Sequence, residues 1–205
     1  MENTLRCDPY NLIIAGVGGQ GNVLASRVIG EMMIYQGYKV TIGETFGASQ
    51  RGGSVMSHLR ISNQGGFSPQ MPKGTAHMVV ALEPMEAIRV LAAYGNPKVN
   101  VLCNTRPIQS VGVICGEQIY PGKKQIIQWI ESLSADAKFF DTTKEALNLG
   151  NPIFGNIMAV GALASTGELP MSLKVFEQVI LKKIPADKVA INLKAYKIGK
   201  DMIIR

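Results

Sequence analysis

The chain has 205 residues, 46% hydrophobic and 18% charged, with a formal net charge of +6. This is an ordinary globular balance for one α/β domain, and its scattered lysines, with no basic run interleaved with aromatics, argue against a nucleic-acid binder. Three dispersed cysteines (Cys7, Cys103, Cys115) exclude a disulfide framework or a metal knuckle, and no apolar run reaches the length of a membrane span, so the sequence reads as cytoplasmic.

Residues 1–10 form a polar leader without a signal-peptide core. Leu12-Ile-Ile-Ala15 reads as a buried strand, followed by four glycines within the six residues Gly16 to Gly21. Val23, Leu24, Val28, Met32 and Tyr35 then recur at helical spacing, so a helix begins near Asn22 and ends at Gly37. Strand, glycine loop and helix leave backbone N–H groups at the positive end of a helix, where an anion can bind. Lys39 to Gly43 predicts a second strand, parallel to the first across a crossover. Glu44-Thr-Phe-Gly-Ala-Ser-Gln-Arg-Gly-Gly-Ser-Val55 is a second glycine-rich stretch, and Ser54 to Ile61 alternates as a strand with one more exposed face. Residues 63–75 read as a surface loop.

His77 to Leu82 predicts a buried strand stopped by Glu83-Pro84, with Pro84 as the first residue of a helix. Val99 to Cys103 is a strand, and Val111, Val113 and Ile114 suggest a short one. Gln125 to Leu133 is a helix, Ala137 to Phe140 a strand, and Thr142-x-x-Glu145 a capping box. Asn156 to Ser165 is a helix dense in small residues, and Met171 to Lys183 and Asp187 to Ile198 are amphipathic helices split by Pro185. The pattern predicts a three-layer, Rossmann-like α/β fold: a mainly parallel sheet, helices on both faces and a helical C-terminal part.

In such a sheet the loops after strand C-termini share one edge, so the two glycine segments are expected to meet over one crevice. The candidate binding residues are Gly16, Gly18, Gly19, Gln20, Gly21, Glu44, Gln50, Arg51, Gly52 and Gly53. Arg51 can fork onto a phosphate or carboxylate, and Gly52 and Gly53 let a ligand approach the backbone closely. The bland alternatives are that the glycines only permit a tight turn and that Arg51 pairs with Glu44 to pin its loop. Gly16-x-Gly18-x-x-Gly21 also fits a dinucleotide fingerprint, with Glu44 as the ribose-binding acid a few residues late. No catalytic residue emerges: His58 and His77 lack an identifiable nucleophile or carboxylate partner, Cys103 lacks a basic neighbour, and no cluster has metal-ligand spacing.

The two glycine segments, with Ser68-Pro69, Ala81-Leu-Glu-Pro84 and Gly161-Ala-Leu163, resemble the gamma-type domain of 2-oxoacid:ferredoxin oxidoreductases. The form Glu-Thr-x-Gly-x-x-Gln-Arg-Gly-Gly is most similar to the beta subunit of the indolepyruvate ferredoxin oxidoreductases in that family. The resemblance covers residues 11 to about 184 of a single gamma-type domain, leaving 185–205 as a helical extension without an assigned role. It implies a subunit inactive alone, in a complex that decarboxylates a 2-oxoacid (indolepyruvate or another aryl pyruvate) oxidatively to an acyl-CoA and reduces ferredoxin. It further implies thiamine diphosphate and iron–sulfur clusters on a large partner chain, no cofactor held by this chain alone, and coenzyme A at the interface unless the loops only dock the partner. Two other classes remain open: a stand-alone NAD(P)- or FAD-binding module, and a non-catalytic interaction protein using the small-residue helix.

Overall fold

A computed structural model describes residues 5–47 and 52–203. Six strands form one sheet in the order β2-β3-β1-β4-β5-β6. They are β1 (Tyr10–Val17), β2 (Lys39–Phe46), β3 (Ser54–Ser62), β4 (Met78–Ala81), β5 (Asn100–Asn104) and β6 (Asp136–Phe140). β1, β4, β5 and β6 pair parallel. β3 lies antiparallel between β1 and β2, with Leu12 opposite Leu59 and Ile42 opposite Leu59.

The expected mainly parallel sheet with helices on both faces is present. On one face, Leu12, Ile14, Leu59, Ile61 and Val80 pack under α1 (Asn22–Tyr35), α6 (Gly155–Ser165), α7 (Leu173–Lys183) and α8 (Ala186–Met202). On the other, Ile13, Ala15, Val79, Val101 and Cys103 pack under α2 (Pro84–Tyr94) and α4 (Lys123–Ser132). The split follows the pleat: successive residues of β1 point to opposite layers, and both layers are apolar, so the strand reads as a continuous hydrophobic run.

One sheet expectation is refined and one needs correction. β2 runs in the same direction as β1, as expected, but is not paired with it: it lies at the sheet edge, because β3 turns straight back along it and takes the slot between. The connection after β2 is far shorter than the dozen or more residues a parallel crossover requires, so hairpin pairing wins. Nor does β3 carry an exposed face: His58 is fully buried and Arg60 nearly so. The 63–76 connection folds over that face. Arg60 donates from Nε to Asn11 Oδ1 (3.2 Å) and from Nη1 to the Ser68 carbonyl (3.4 Å), and its guanidinium lies 4.7 Å from the Phe67 ring centroid.

Local chemistry sets the other boundaries. Glu83 caps α2, its Oε2 accepting from Glu86 N, with Pro84 as the first helical residue as expected. Gly37, at φ 92°, follows the end of α1 in the left-handed conformation. Val111–Ile114 is a single helical turn, α3, capped by Ser110, not a strand. The Thr142 capping box does not form: α5 (Thr143–Asn148) has no side-chain cap, and Asp141 Oδ1 instead accepts from Thr143 N at 2.8 Å.

The small-residue helix α6 is buried along nearly its whole length and packs within the chain against α8. The two backbones meet at glycines. A Cβ on Gly161 would lie 2.1 Å from the Tyr196 carbonyl oxygen, and one on Gly199 would lie 1.9 Å from that of Met158. The C-terminal helix is thus integral to the core layer.

Candidate functional site

The C-terminal ends of β1, β4, β5 and β6 open onto one cleft of about 990 Å³. Its lining includes Gly18, Gly19 and Gln20 after β1, Leu82 after β4, Asn104 and Arg106 from β5 onward, Thr142 after β6, and Asn156 at the start of α6. This is the strand-end edge where open α/β sheets bind ligands.

The two glycine segments do meet there. Gly18 N donates to the Gly53 carbonyl (2.8 Å) and Gly52 N donates to the Gly18 carbonyl (3.3 Å), so a reciprocal backbone pair joins the loops. Gly18, Gly19, Gln20 and Gly52 line the cleft. Gln50 and Arg51 lie outside the described residues.

Several candidates also make scaffold contacts. Gln20 turns inward: its Oε1 accepts from Val17 N (2.8 Å) and its Nε2 donates to the Leu82 carbonyl (2.8 Å), tying the glycine turn to the end of β4. Gly16 ends up beneath that turn, where a Cβ would stand 2.6 Å from both Gln20 Oε1 and Asn22 Oδ1. Gly21 has φ 80°, and a Cβ there would sit 2.1 Å from Asn156 Nδ2. Gly53 contributes the carbonyl that holds Gly18. Glu44 points elsewhere, its Oε1 3.8 Å from Arg27 Nε on α1. β3 separates its strand from β1, so Glu44 is two strands, about 10 Å, from the strand that feeds the glycine loop. That displacement removes the geometry a ribose-binding acid needs and disfavours the dinucleotide reading.

The electrostatics of the cleft are one-sided. α1 begins just past the glycine turn that lines it, with no side-chain cap and no acidic residue in its first turn, and α6 continues a 3-10 turn (Pro152–Phe154) that Asn151 caps at the cleft by accepting from Ile153 N. Both present the positive end of the helix dipole. Arg106 is the one charged side chain among the described lining residues. Asn104 Nδ2 donates to the Leu82 carbonyl (3.2 Å) and its Oδ1 accepts from Thr142 N (3.3 Å), bracing three strand ends together. Asn22 Oδ1 is buried with no partner beside the turn.

Asn104, Arg106, Thr142 and Asn156 were missed in the sequence. The strand-end rule that located Gly18 also points to the residues just after Cys103 and Phe140, so position was the available signal; motif was not.

A carboxylate pair supports the cleft from below. Glu83 Oε1 accepts from Tyr120 Oη (2.5 Å) and Ile108 N (3.3 Å), fixing the 105–120 segment that forms one wall. Glu86 accepts from Ser54 Oγ, and burial pushes its carboxyl above the ordinary range. The histidines are structural. His77 Nδ1 accepts from Asn11 N at 2.9 Å, and His58 is buried edge-on to Tyr94 with neither nitrogen partnered. Burial lowers the pKa of both. Cys103 is buried, which pushes its thiol well above its usual range, so it is no nucleophile. Among the described residues, no group of three His, Cys, Asp or Glu side chains is placed to hold a metal.

Residues 11–202 match the family described as pyruvate ferredoxin/flavodoxin oxidoreductase, and the chain belongs to that family. It is a subunit of a 2-oxoacid:ferredoxin oxidoreductase, a class of thiamine and iron–sulfur complexes in which a larger partner chain is implied. The match runs through α8, beyond the residue-184 limit set by the sequence motifs. The indolepyruvate oxidoreductase subunit IorB of Pyrococcus horikoshii is 36% identical over 93% of this chain and 94% of its own. The subunit of the same name from Archaeoglobus fulgidus is 33% identical over 95% of each chain. In fold, the chain is similar to the gamma subunit of a keto/oxoacid ferredoxin oxidoreductase from Geobacter sulfurreducens (TM-score 0.67, 23% identity, 95% of this chain and 98% of that one). It is also similar to the 2-oxoglutarate:ferredoxin oxidoreductase of Magnetococcus marinus (TM-score 0.74, 19% identity), covering 97% of this chain but 32% of that longer one. No helix among the described residues is long and apolar enough to cross a membrane.

Proposed function

We propose that this chain is the non-thiamine-binding subunit of a cytoplasmic indolepyruvate (aryl pyruvate) ferredoxin oxidoreductase, and that its cleft receives the phosphate-bearing part of coenzyme A. The reaction is oxidative decarboxylation: the 2-oxoacid loses carbon dioxide, its acyl carbon forms a thioester with coenzyme A, and the electrons released pass to ferredoxin. Thiamine diphosphate and the clusters belong to the partner chain, and the whole of this chain acts as one gamma-type domain beside them. The aryl specificity is supported by the subunits named for indolepyruvate, 31% to 36% identical over nearly the full chain.

One observation carries the coenzyme A assignment. Two helix N-termini, that of α1 uncapped, and Arg106 are set toward a cleft whose described lining holds no carboxylate. A phosphate there meets dipole ends, backbone N–H groups and a guanidinium together. Gly18, Gly19 and Gly52 keep side-chain bulk away from it, while Gln20 holds the turn in shape.

Arg106→Ala in the co-expressed complex tests the assignment. Loss of one charge-assisted contact raises the KM for coenzyme A about tenfold or more, while the KM for the 2-oxoacid stays where it was. An unchanged KM for coenzyme A would contradict the assignment.

A further inference from the structure

A second cavity, of about 190 Å³, lies between α4 and the strand ends, with Pro107 shared between its lining and that of the cleft. Its walls are apolar: Cys103 and Phe139 from the sheet, Ile126, Ile127 and Ile130 from α4, and the Tyr120 ring. The polar atoms of those walls are already engaged. Tyr120 Oη is committed to Glu83, and Cys103 Sγ donates to the Asn104 carbonyl at 3.4 Å. Water finds few partners on such a surface. At the rim stands Lys123, exposed, its Nζ 3.4 Å from Thr105 Oγ1 and free to turn two further donors outward.

The volume falls below the roughly 300–1,000 Å³ of a drug-sized site, so it admits one flat ring system and little more. Apolar and aromatic walls select a ring, and a single cation at the rim selects an acid.

We propose that this cavity binds an aryl-alkanoic acid, its ring among Ile126, Ile127, Ile130 and Phe139 and its carboxylate at Lys123. The choice of an aryl acid rests on the function proposed above, since the substrate of that reaction is itself an aryl ring on a short acid chain.

Indole-3-acetate is the probe, titrated into the full chain carrying isotope-labelled isoleucine δ1-methyls. The expected result is saturable shifts at Ile126, Ile127 and Ile130. Indole alone shifts the same methyls more weakly, and acetate alone does not shift them. Lys123→Gln, a surface change, weakens indole-3-acetate about tenfold and leaves indole unaffected. Ile127→Trp, which fills the space, removes both responses. Absence of shifts at these methyls, or equal loss of indole and indole-3-acetate in Lys123→Gln, would overturn the site. The two proposals fail separately: a complex that turns over indolepyruvate while the methyls stay unmoved sinks only this site. Shifts in a chain whose complex ignores aryl pyruvates sink only the function.

Discussion

Gln20 shows what a single residue contributes here and why its role was hard to foresee. Its place inside the glycine turn was plain in the sequence, and it read as a ligand-facing amide. Both ends of the amide are instead taken by Val17 N and the Leu82 carbonyl, the second 62 residues away. A long-range partner of that kind leaves no local signature. His58 is a similar case. Alternation placed it on the polar face of a strand, but a loop covers that face and leaves the ring buried and unpaired. Burial lowers its pKa, so the unfolded chain binds the proton more readily than the native one. Stability is therefore full above about pH 6.5 and falls as the pH drops from there toward the lower native pKa. Urea midpoints measured at about pH 7.5 and about pH 5 should separate clearly in the wild type. His58→Leu should narrow that separation, with His77 supplying the remainder; an undiminished separation would show that His58 is not the group responsible.

Among elements, parallel strands and the helices between them were readable because local signals agreed with the tertiary outcome. Leu12 to Ala15, Val79 to Ala81 and Val101 to Cys103 are short apolar runs, and each lies in the sheet interior. The order of β2 and β3 was not readable, since pairing depends on connection length and competing neighbours, not on the strands' own composition. α6 was legible as a close-packing face, though its partner was not. The Cβ clash at Gly161 gives that contact an energy scale. Gly161→Ala forces backbone apart at the α6–α8 crossing and should cost about 2 kcal/mol, lowering Tm by about 4–8 °C. Gly122→Ala, at φ −64° with nothing within 4 Å of an added Cβ, is the matched control and should leave Tm nearly unchanged. Equal Tm values for the two variants would show that the helices do not touch through Gly161.

Taken whole, the described residues form a scaffold that assembles one cleft whose charged lining side chain is Arg106. Its two histidines and its buried cysteine are held by packing. The match to 32% of one longer oxidoreductase chain shows this fold continuous with the rest of such an enzyme in another species. On the function proposed above, a separate subunit would take up its place beside the large chain by docking. That docking makes reconstitution the most direct measurement: thiamine-dependent, coenzyme A-dependent reduction of ferredoxin by indolepyruvate, assayed for the large chain alone, this chain alone and the two co-expressed. Turnover should be seen only with both chains together. Full activity of the large chain without this one would contradict the account.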